Sequence, residues 1–292
     1  LLTREQLGPL LPPDCFGGSY PSPRRIVLFF IDSFGWEFWQ HYRDRSRIMR
    51  TVAERGIITP ISALFPSTTS ASVTTLNLGC LPSQHGIYEW NMYVPAYGET
   101  IQPLPFSVLG GEPGSAARSG FDIAELVAVR ETAHQRLAQC GVRSIQLAHR
   151  SYARSAYNDV VTAGAEVIPH GSLPEALVHL RALLNEARDR CLINLYWGGL
   201  DSAAHVFGPG TPVHDAEVRA YWAMMDVLLS GLDCRETLFL FTADHGHIHV
   251  PAHETIYINE RWPMLAEWLA VGPTGRTIWP NGSPRDMVLH LK

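Results

Sequence analysis

Glu236-Thr-Leu-Phe-Leu-Phe-Thr242 followed by Ala243-Asp-His-Gly246 is the stretch on which the reading of this chain turns. An apolar run that ends in two adjacent metal-liganding side chains reads as a strand delivering a site at its carboxyl end. Open α/β sheets hold their ligands at that edge. Taken alone, Asp244 also suits a turn cap and His245 a packed ring.

Two further segments repeat the pattern. Leu192-Ile-Asn-Leu-Tyr-Trp197 gives way to Gly198-Gly-Leu-Asp201-Ser-Ala-Ala-His205, with Gly208 and Pro209 ending the turn. On one helical turn, residues four apart share a face, so Asp201 and His205 can converge on one cation. Ile26-Val-Leu-Phe-Phe-Ile31 runs into Asp32-Ser-Phe-Gly35. Such an unbroken apolar run suits a central parallel strand buried on both faces. Three strands each ending near an Asp, two with a His close by, suit zinc or a similar divalent ion. Two Asp/His pairs and an extra Asp suit two such ions.

Between Asp32 and Asp201 lies a candidate nucleophile. Phe65-Pro-Ser-Thr-Thr-Ser-Ala-Ser-Val-Thr-Thr-Leu-Asn-Leu78 follows an expected short strand at 57–64, and Gly79 ends the helix it opens. A hydroxyl at a helix N-terminus is ordinarily a cap. The same place offers free backbone N–H groups to a phosphate, beside a hydroxyl that a metal could ionise.

Here the chain resembles the alkaline phosphatase superfamily, and within it the type I phosphodiesterase/nucleotide pyrophosphatase family. The resemblance rests on four motifs in order across about residues 25–250. They are Asp32, Leu78-Gly-Cys-Leu-Pro-Ser-Gln-His-Gly-Ile87, Asp201-Ser-Ala-Ala-His-Val-Phe-Gly-Pro209 and Asp244-His-Gly246. Counting back without gaps from Gly79, the family's nucleophilic threonine falls on Thr69, not Thr68. The resemblance implies that Asp32, Thr69, Asp244 and His245 ligate one metal and that Asp201 and His205 ligate a second. It implies two divalent ions, zinc first and manganese second, and hydrolysis of phosphate diesters or nucleotide pyrophosphate bonds through a phospho-threonine. Phosphomonoesterase or phosphonate hydrolase chemistry uses the same cage, and a phosphate-ligand binder without turnover is the non-enzymatic alternative.

Three departures from the family pattern stand out. The phosphodiesterase branch places an Asn shortly after His-Gly-Ile as a donor to substrate phosphate; the ungapped position is Trp90, with Asn91, the expected substrate-binding residue, beside it. Ala204 replaces the glycine before His205. The family's second metal also takes a further His from far downstream, usually followed by glycine, and no later His-Gly exists here. The expectation is therefore a chain truncated at its C-terminal end, with His247 or His249 as local substitutes for that ligand.

The rest of the sequence fits one catalytic domain over 1–292. A chain of 292 residues with 46% hydrophobic content can bury one large core. A net charge of −5 disfavours a general nucleic-acid binder and is compatible with small phosphate-ester or nucleotide substrates. Five scattered cysteines read as small apolar residues or free thiols. No signal peptide or membrane-spanning stretch is visible, so a cytoplasmic location is the expectation. The expected fold is α/β, a mainly parallel sheet with helices on both faces. Helices are expected near 36–50, 69–79, 122–140, 173–190, 212–232 and 261–270. Strands are expected near 26–31, 57–64, 143–148, 192–197 and 236–242. Residues 92–120, rich in Pro and Gly, read as an irregular loop or lid.

Overall fold

A computed structural model describes residues 1–3, 11–186, 189–232 and 234–292. Five strands form its central sheet: β1 (Arg25–Ile31), β5 (Arg143–His149), β6 (Glu166–His170), β7 (Cys191–Trp197) and β8 (Thr237–Thr242). Their order is β6-β5-β7-β1-β8, and every pairing is parallel. β1 lies between β7 and β8, which is why its apolar run is unbroken: both faces are covered. Register aligns Phe30 with Tyr196 and with Thr242, so the three strands that end in the Asp motifs finish level.

One face of the sheet presents Val27, Phe29, Ile31, Ile193 and Leu195 to the helices Leu173–Glu186 and Pro212–Leu229. Those helices bury Leu177, Leu180, Val218, Tyr221, Trp222 and Met225 in return. The opposite face is covered by the helices Thr69–Leu78 and Ala133–Gln139 and is partly polar. There, Asn194 Nδ2 donates to Gln146 Oε1 at 2.9 Å, and Gln146 Nε2 donates to Asn77 Oδ1 at 2.8 Å. His134 Nε2 also meets Asn77 Oδ1, at 2.9 Å. This buried chain of bonds ties the Thr69–Leu78 helix to β5 and β7, and buried polar groups tolerate few alternative arrangements.

The structure departs from the sequence reading at several points. No strand forms at 57–64: Ile57, Ile58 and Ile61 are exposed, and Pro60 lacks a donor for a ladder. β6 forms where the sequence reading expects no strand: it is short and contains Pro169, which only an edge strand tolerates. Residues 92–120 are not irregular. They hold an antiparallel sheet of β2 (Met92–Val94), β3 (Glu99–Gln102) and β4 (Ser107–Val108), packed around Met92, Ile101 and Phe106. The helix expected at 36–50 is two, Trp36–Tyr42 and Arg47–Arg55, because Ser46 caps the second by accepting from Met49 N. That expected at 122–140 is split likewise, with Asp122 and Thr132 as the caps. Two short turns, Ile258–Arg261 and Leu265–Trp268, replace the helix expected at 261–270. The end of the helix expected at 173–190 falls partly on 187–188, outside the described residues. Among the described residues, no helix is long and apolar enough to cross a membrane, and no disulfide joins any of the five cysteines.

Candidate functional site

The ends of β1 and β8 are fused backbone to backbone. A Cβ on Gly35 would lie 2.8 Å from Gly246 Cα, so glycine at position 35 permits the approach. Ser33, at φ +62, turns its N–H onto Asp244 Oδ1 at 3.0 Å, and His245 N donates to the same oxygen at 2.9 Å. That leaves Asp244 Oδ2 without a hydrogen bond although it is buried. Asp32 repeats the arrangement: its Oδ2 accepts a short hydrogen bond from Tyr196, and its buried Oδ1 has none.

Both orphaned oxygens face one nitrogen. His245 Nε2 stands 3.5 Å from Asp32 Oδ1 and 3.6 Å from Asp244 Oδ2. His245 Nδ1–H donates to Gly246 O at 3.1 Å, so in the neutral ring Nε2 carries the lone pair. Two carboxylate oxygens and a lone pair aimed at one buried point repel each other, and a cation is what would reconcile them. The electrostatics agree: burial first, then the charges of Asp244 and Asp201, hold the Asp32 carboxyl well above the usual carboxylate range. Burial and the Asp32 charge likewise raise the Tyr196 phenol well above its ordinary value.

Thr69 belongs to the same point. Its Oγ1 lies 3.3 Å from His245 Nε2. Thr68, next to it, is the helix cap: it is buried and its hydroxyl accepts from Ala71 N at 3.3 Å. The two adjacent threonines thus have separate partners, one local and one across the sheet edge.

A second cluster adjoins the first. On the helix Gly199–Phe207, Asp201 Oδ2 and His205 Nε2 are 3.5 Å apart, as the i,i+4 spacing allows. His247 Nε2 lies 3.2 Å from Asp201 Oδ1, and its ring is 4.9 Å from that of His205 and 5.7 Å from that of His245. Burial works to raise the Asp201 carboxyl, but the bond from His247 and the charges of His205 and His245 outweigh it and hold the group low. Asp201, His245 and His247 form one three-residue constellation with metal-ligand spacing, and Asp32, Asp244 and His245 form another. His205 and His249 enter neither, although His205 stays within 3.5 Å of Asp201.

The side-chain hydrogen bonds of Asn91 go to other partners. Its Nδ2 donates to Gly282 O at 3.0 Å and its Oδ1 accepts from Gln102 Nε2 at 3.1 Å. The His85-Gly-Ile motif is also occupied internally. His85 Nδ1 accepts from Ile87 N at 3.1 Å, so Nε2–H donates to Thr75 Oγ1 at 3.0 Å, pinning the helix that starts at Thr69. Tyr196 was overlooked in the sequence because an aromatic in an apolar run reads as core.

Burial pushes His85 and His134 down to about 4. Both remain neutral in the fold, whereas the unfolded chain takes up protons below about 6.5. Stability from these groups is therefore complete above that value and is lost as pH falls toward 4. At pH 5 each accounts for roughly 2 kcal/mol. Unfolding of His134→Gln should accordingly show a pH dependence between 7.5 and 5 flatter by about that amount; identical slopes would contradict neutral burial.

No curated protein sequence matches this chain. Among solved structures it is similar to murine ectonucleotide pyrophosphatase/phosphodiesterase 5, at 17% identity and a TM-score of 0.59 over 80% of this chain and 60% of that one. It is also similar to phosphonoacetate hydrolase from Sinorhizobium meliloti 1021, at 18% identity and a TM-score of 0.56 over 86% and 63%. Alkaline phosphatase PafA follows at 12% identity, with a TM-score of 0.56 over 85% and 68%. The chain spans about three-fifths of the length of the first two. These likenesses establish an alkaline-phosphatase-like fold. The family model described as type I phosphodiesterase / nucleotide pyrophosphatase matches residues 26–286, nearly the whole chain, and to that family the chain belongs.

Proposed function

We propose that this chain hydrolyses phosphate esters, diesters or nucleotide pyrophosphate bonds foremost, with Thr69 as the nucleophile. The observation that carries the reading is the pair of orphaned buried oxygens, Asp32 Oδ1 and Asp244 Oδ2, facing His245 Nε2 beside the Thr69 hydroxyl. Family membership supports it, as does the solved murine neighbour, one variant of which is described as inactive through a threonine-to-alanine change and in complex with AMP.

The residues fit two divalent ions. Asp32, Thr69, Asp244 and His245 would hold one; Asp201, His205 and His247 would hold the other, His247 supplying a third protein ligand. The carboxylate and imidazole donors suit zinc, with manganese second. Ions so held would supply positive charge that favours an ionised hydroxyl and stabilises negative charge developing at the phosphorus oxygens.

The chain's own groups divide the remaining work. Thr69 Oγ1 forms a bond to phosphorus while the bond to the leaving oxygen breaks, and water later displaces Thr69 to complete hydrolysis. Ala71 N is taken by the Thr68 cap and Ser72 N by Thr68 O, so the amides of Thr69 and Ser70 are the first-turn donors available to a phosphate oxygen. Tyr196 fixes Asp32 Oδ2, and the amides of Ser33 and His245 fix Asp244 Oδ1, so both free oxygens stay aimed inward.

Turnover of a chromogenic diester and monoester with zinc or manganese tests the proposal. A kcat/KM at least tenfold higher for the diester is expected. A reversed preference would favour the monoesterase alternative. Full metal occupancy with no hydrolysis of either would favour a phosphate-ligand binder. Metal analysis of His247→Ala should find the loss of one ion of two; two tightly held ions would remove His247 from the set.

A further inference from the structure

Asn91 is engaged elsewhere, and what it engages has consequences for substrate choice. Gly282 N donates to Asn91 O at 2.6 Å, while Asn91 Nδ2 donates back to Gly282 O at 3.0 Å. Two residues earlier, the buried Glu89 accepts from Trp90 N at 2.7 Å and from Ser283 Oγ at 3.0 Å. These bonds clamp a small hairpin, β9 (Asn281–Gly282) with β10 (Met287–Val288), against the segment that follows His85-Gly-Ile. Gly282 sits at φ +87, and a Cβ there would fall 2.2 Å from Asp286 O, so the hairpin turn requires glycine. At its tip stands Arg285, whose guanidinium donates to Ser67 O at 2.7 Å, two residues before Thr69.

The clamp fixes an exposed positive charge beside the amino end of the Thr69–Leu78 helix. Two residues span at most about 7 Å, which bounds the distance along the backbone between the Ser67 anchor and Thr69. A guanidinium has five N–H donors in a planar fork that matches phosphate oxygens, and one donor is spent on Ser67. The neighbouring site is carboxylate-rich, with Asp32, Asp201 and Asp244, so an anion lying beyond the attacked phosphorus needs such a partner.

We propose that Arg285 is a specificity-determining residue that receives a second phosphate of the substrate, next to the phosphorus attacked by Thr69. The substrates it selects are phosphoanhydrides, the class to which nucleotide pyrophosphate bonds belong, over diesters with a single negative charge. This rests on the hydrolase reading above and adds to it the discrimination between substrates.

The test is kcat/KM for ATP relative to bis(p-nitrophenyl) phosphate in the parent, Arg285→Gln and Arg285→Lys proteins. Arg285→Gln should lower the ratio at least tenfold, mainly through KM for ATP. Arg285→Lys should fall between, since it keeps the charge but not the fork. A ratio unchanged within twofold, with both substrates turned over, would overturn the role of Arg285 and leave the hydrolase reading intact. Binding of inorganic pyrophosphate, measured by calorimetry on Thr69→Ala with and without Arg285→Gln, gives a readout independent of turnover. If no substrate is hydrolysed, the hydrolase reading fails, and this binding decides: a tenfold loss upholds the Arg285 site and unchanged binding overturns it. Circular dichroism of each variant separates misfolding from lost recognition.

Discussion

Thr69→Ala should lower turnover of a phosphate diester by roughly three orders of magnitude or more while leaving the fold and substrate binding largely intact. The argument rests on the division of labour between two neighbouring hydroxyls. Thr68 is the cap, accepting from Ala71 N, and its removal costs only about 1 kcal/mol. Thr69 contributes nothing to the cap; its oxygen instead meets His245 Nε2 at 3.3 Å. Thr68→Ala should therefore keep most activity and melt a few degrees lower at most. A dead Thr68→Ala beside an active Thr69→Ala would shift the nucleophile by one residue and undo the pairing of Thr69 with His245.

A second large effect is expected at Asp244, where substitution separates structure from metal binding. Asp244 Oδ1 accepts from Ser33 N and His245 N, and Oδ2 is the free oxygen. Asp244→Asn can keep both backbone bonds through its carbonyl while replacing the free oxygen by an amide. It also removes a charge that raises the Asp32 carboxyl. The metal-free Asn variant should then melt no lower than the metal-free parent, yet lose the ion of the Asp32/His245 site and at least about a thousandfold in activity. Asp244→Ala leaves two buried donors without an acceptor and should lose a further ~2–4 kcal/mol of stability. Metal analysis and thermal unfolding of the two variants, with and without chelator, check this. Equal melting of the Ala and Asn forms would mean that the backbone bonds to Asp244 do not hold the loop.

The parts of this architecture that were legible in sequence share a physical cause. β1, β7 and β8 are apolar until they reach the sheet edge, where a polar residue can only be a turn or a site. The motif positions Asp32, Asp201, His205, Asp244 and His245 stand at those breaks, and the structure places them at one edge. What was not legible depends on pairing and register. Ile57, Ile58 and Ile61 look like a strand, yet no neighbouring strand pairs with them and they stay exposed. Tyr196 bonds Asp32 because β7 runs parallel to β1 with Phe30 opposite Tyr196, an alignment no single segment encodes. Asn91 occupies the expected stretch after His-Gly-Ile, but its amide is committed to Gly282, nearly two hundred residues away, and to Gln102. His247 stood among several histidines after β8; only the fold of the loop sets it, and not His249, against Asp201.

The covalent role of Thr69 is the centre of the account, and acid quenching during turnover tests it most directly. Protein supplied with zinc and a phosphorus-labelled diester should be quenched in the steady state and its peptides mapped by mass spectrometry. The expected result is label on the peptide containing Thr69, assigned to that residue by fragmentation and absent from Thr69→Ala. Label on another side chain, or its complete absence from a protein that is turning over substrate and shows a pre-steady-state burst, would contradict it.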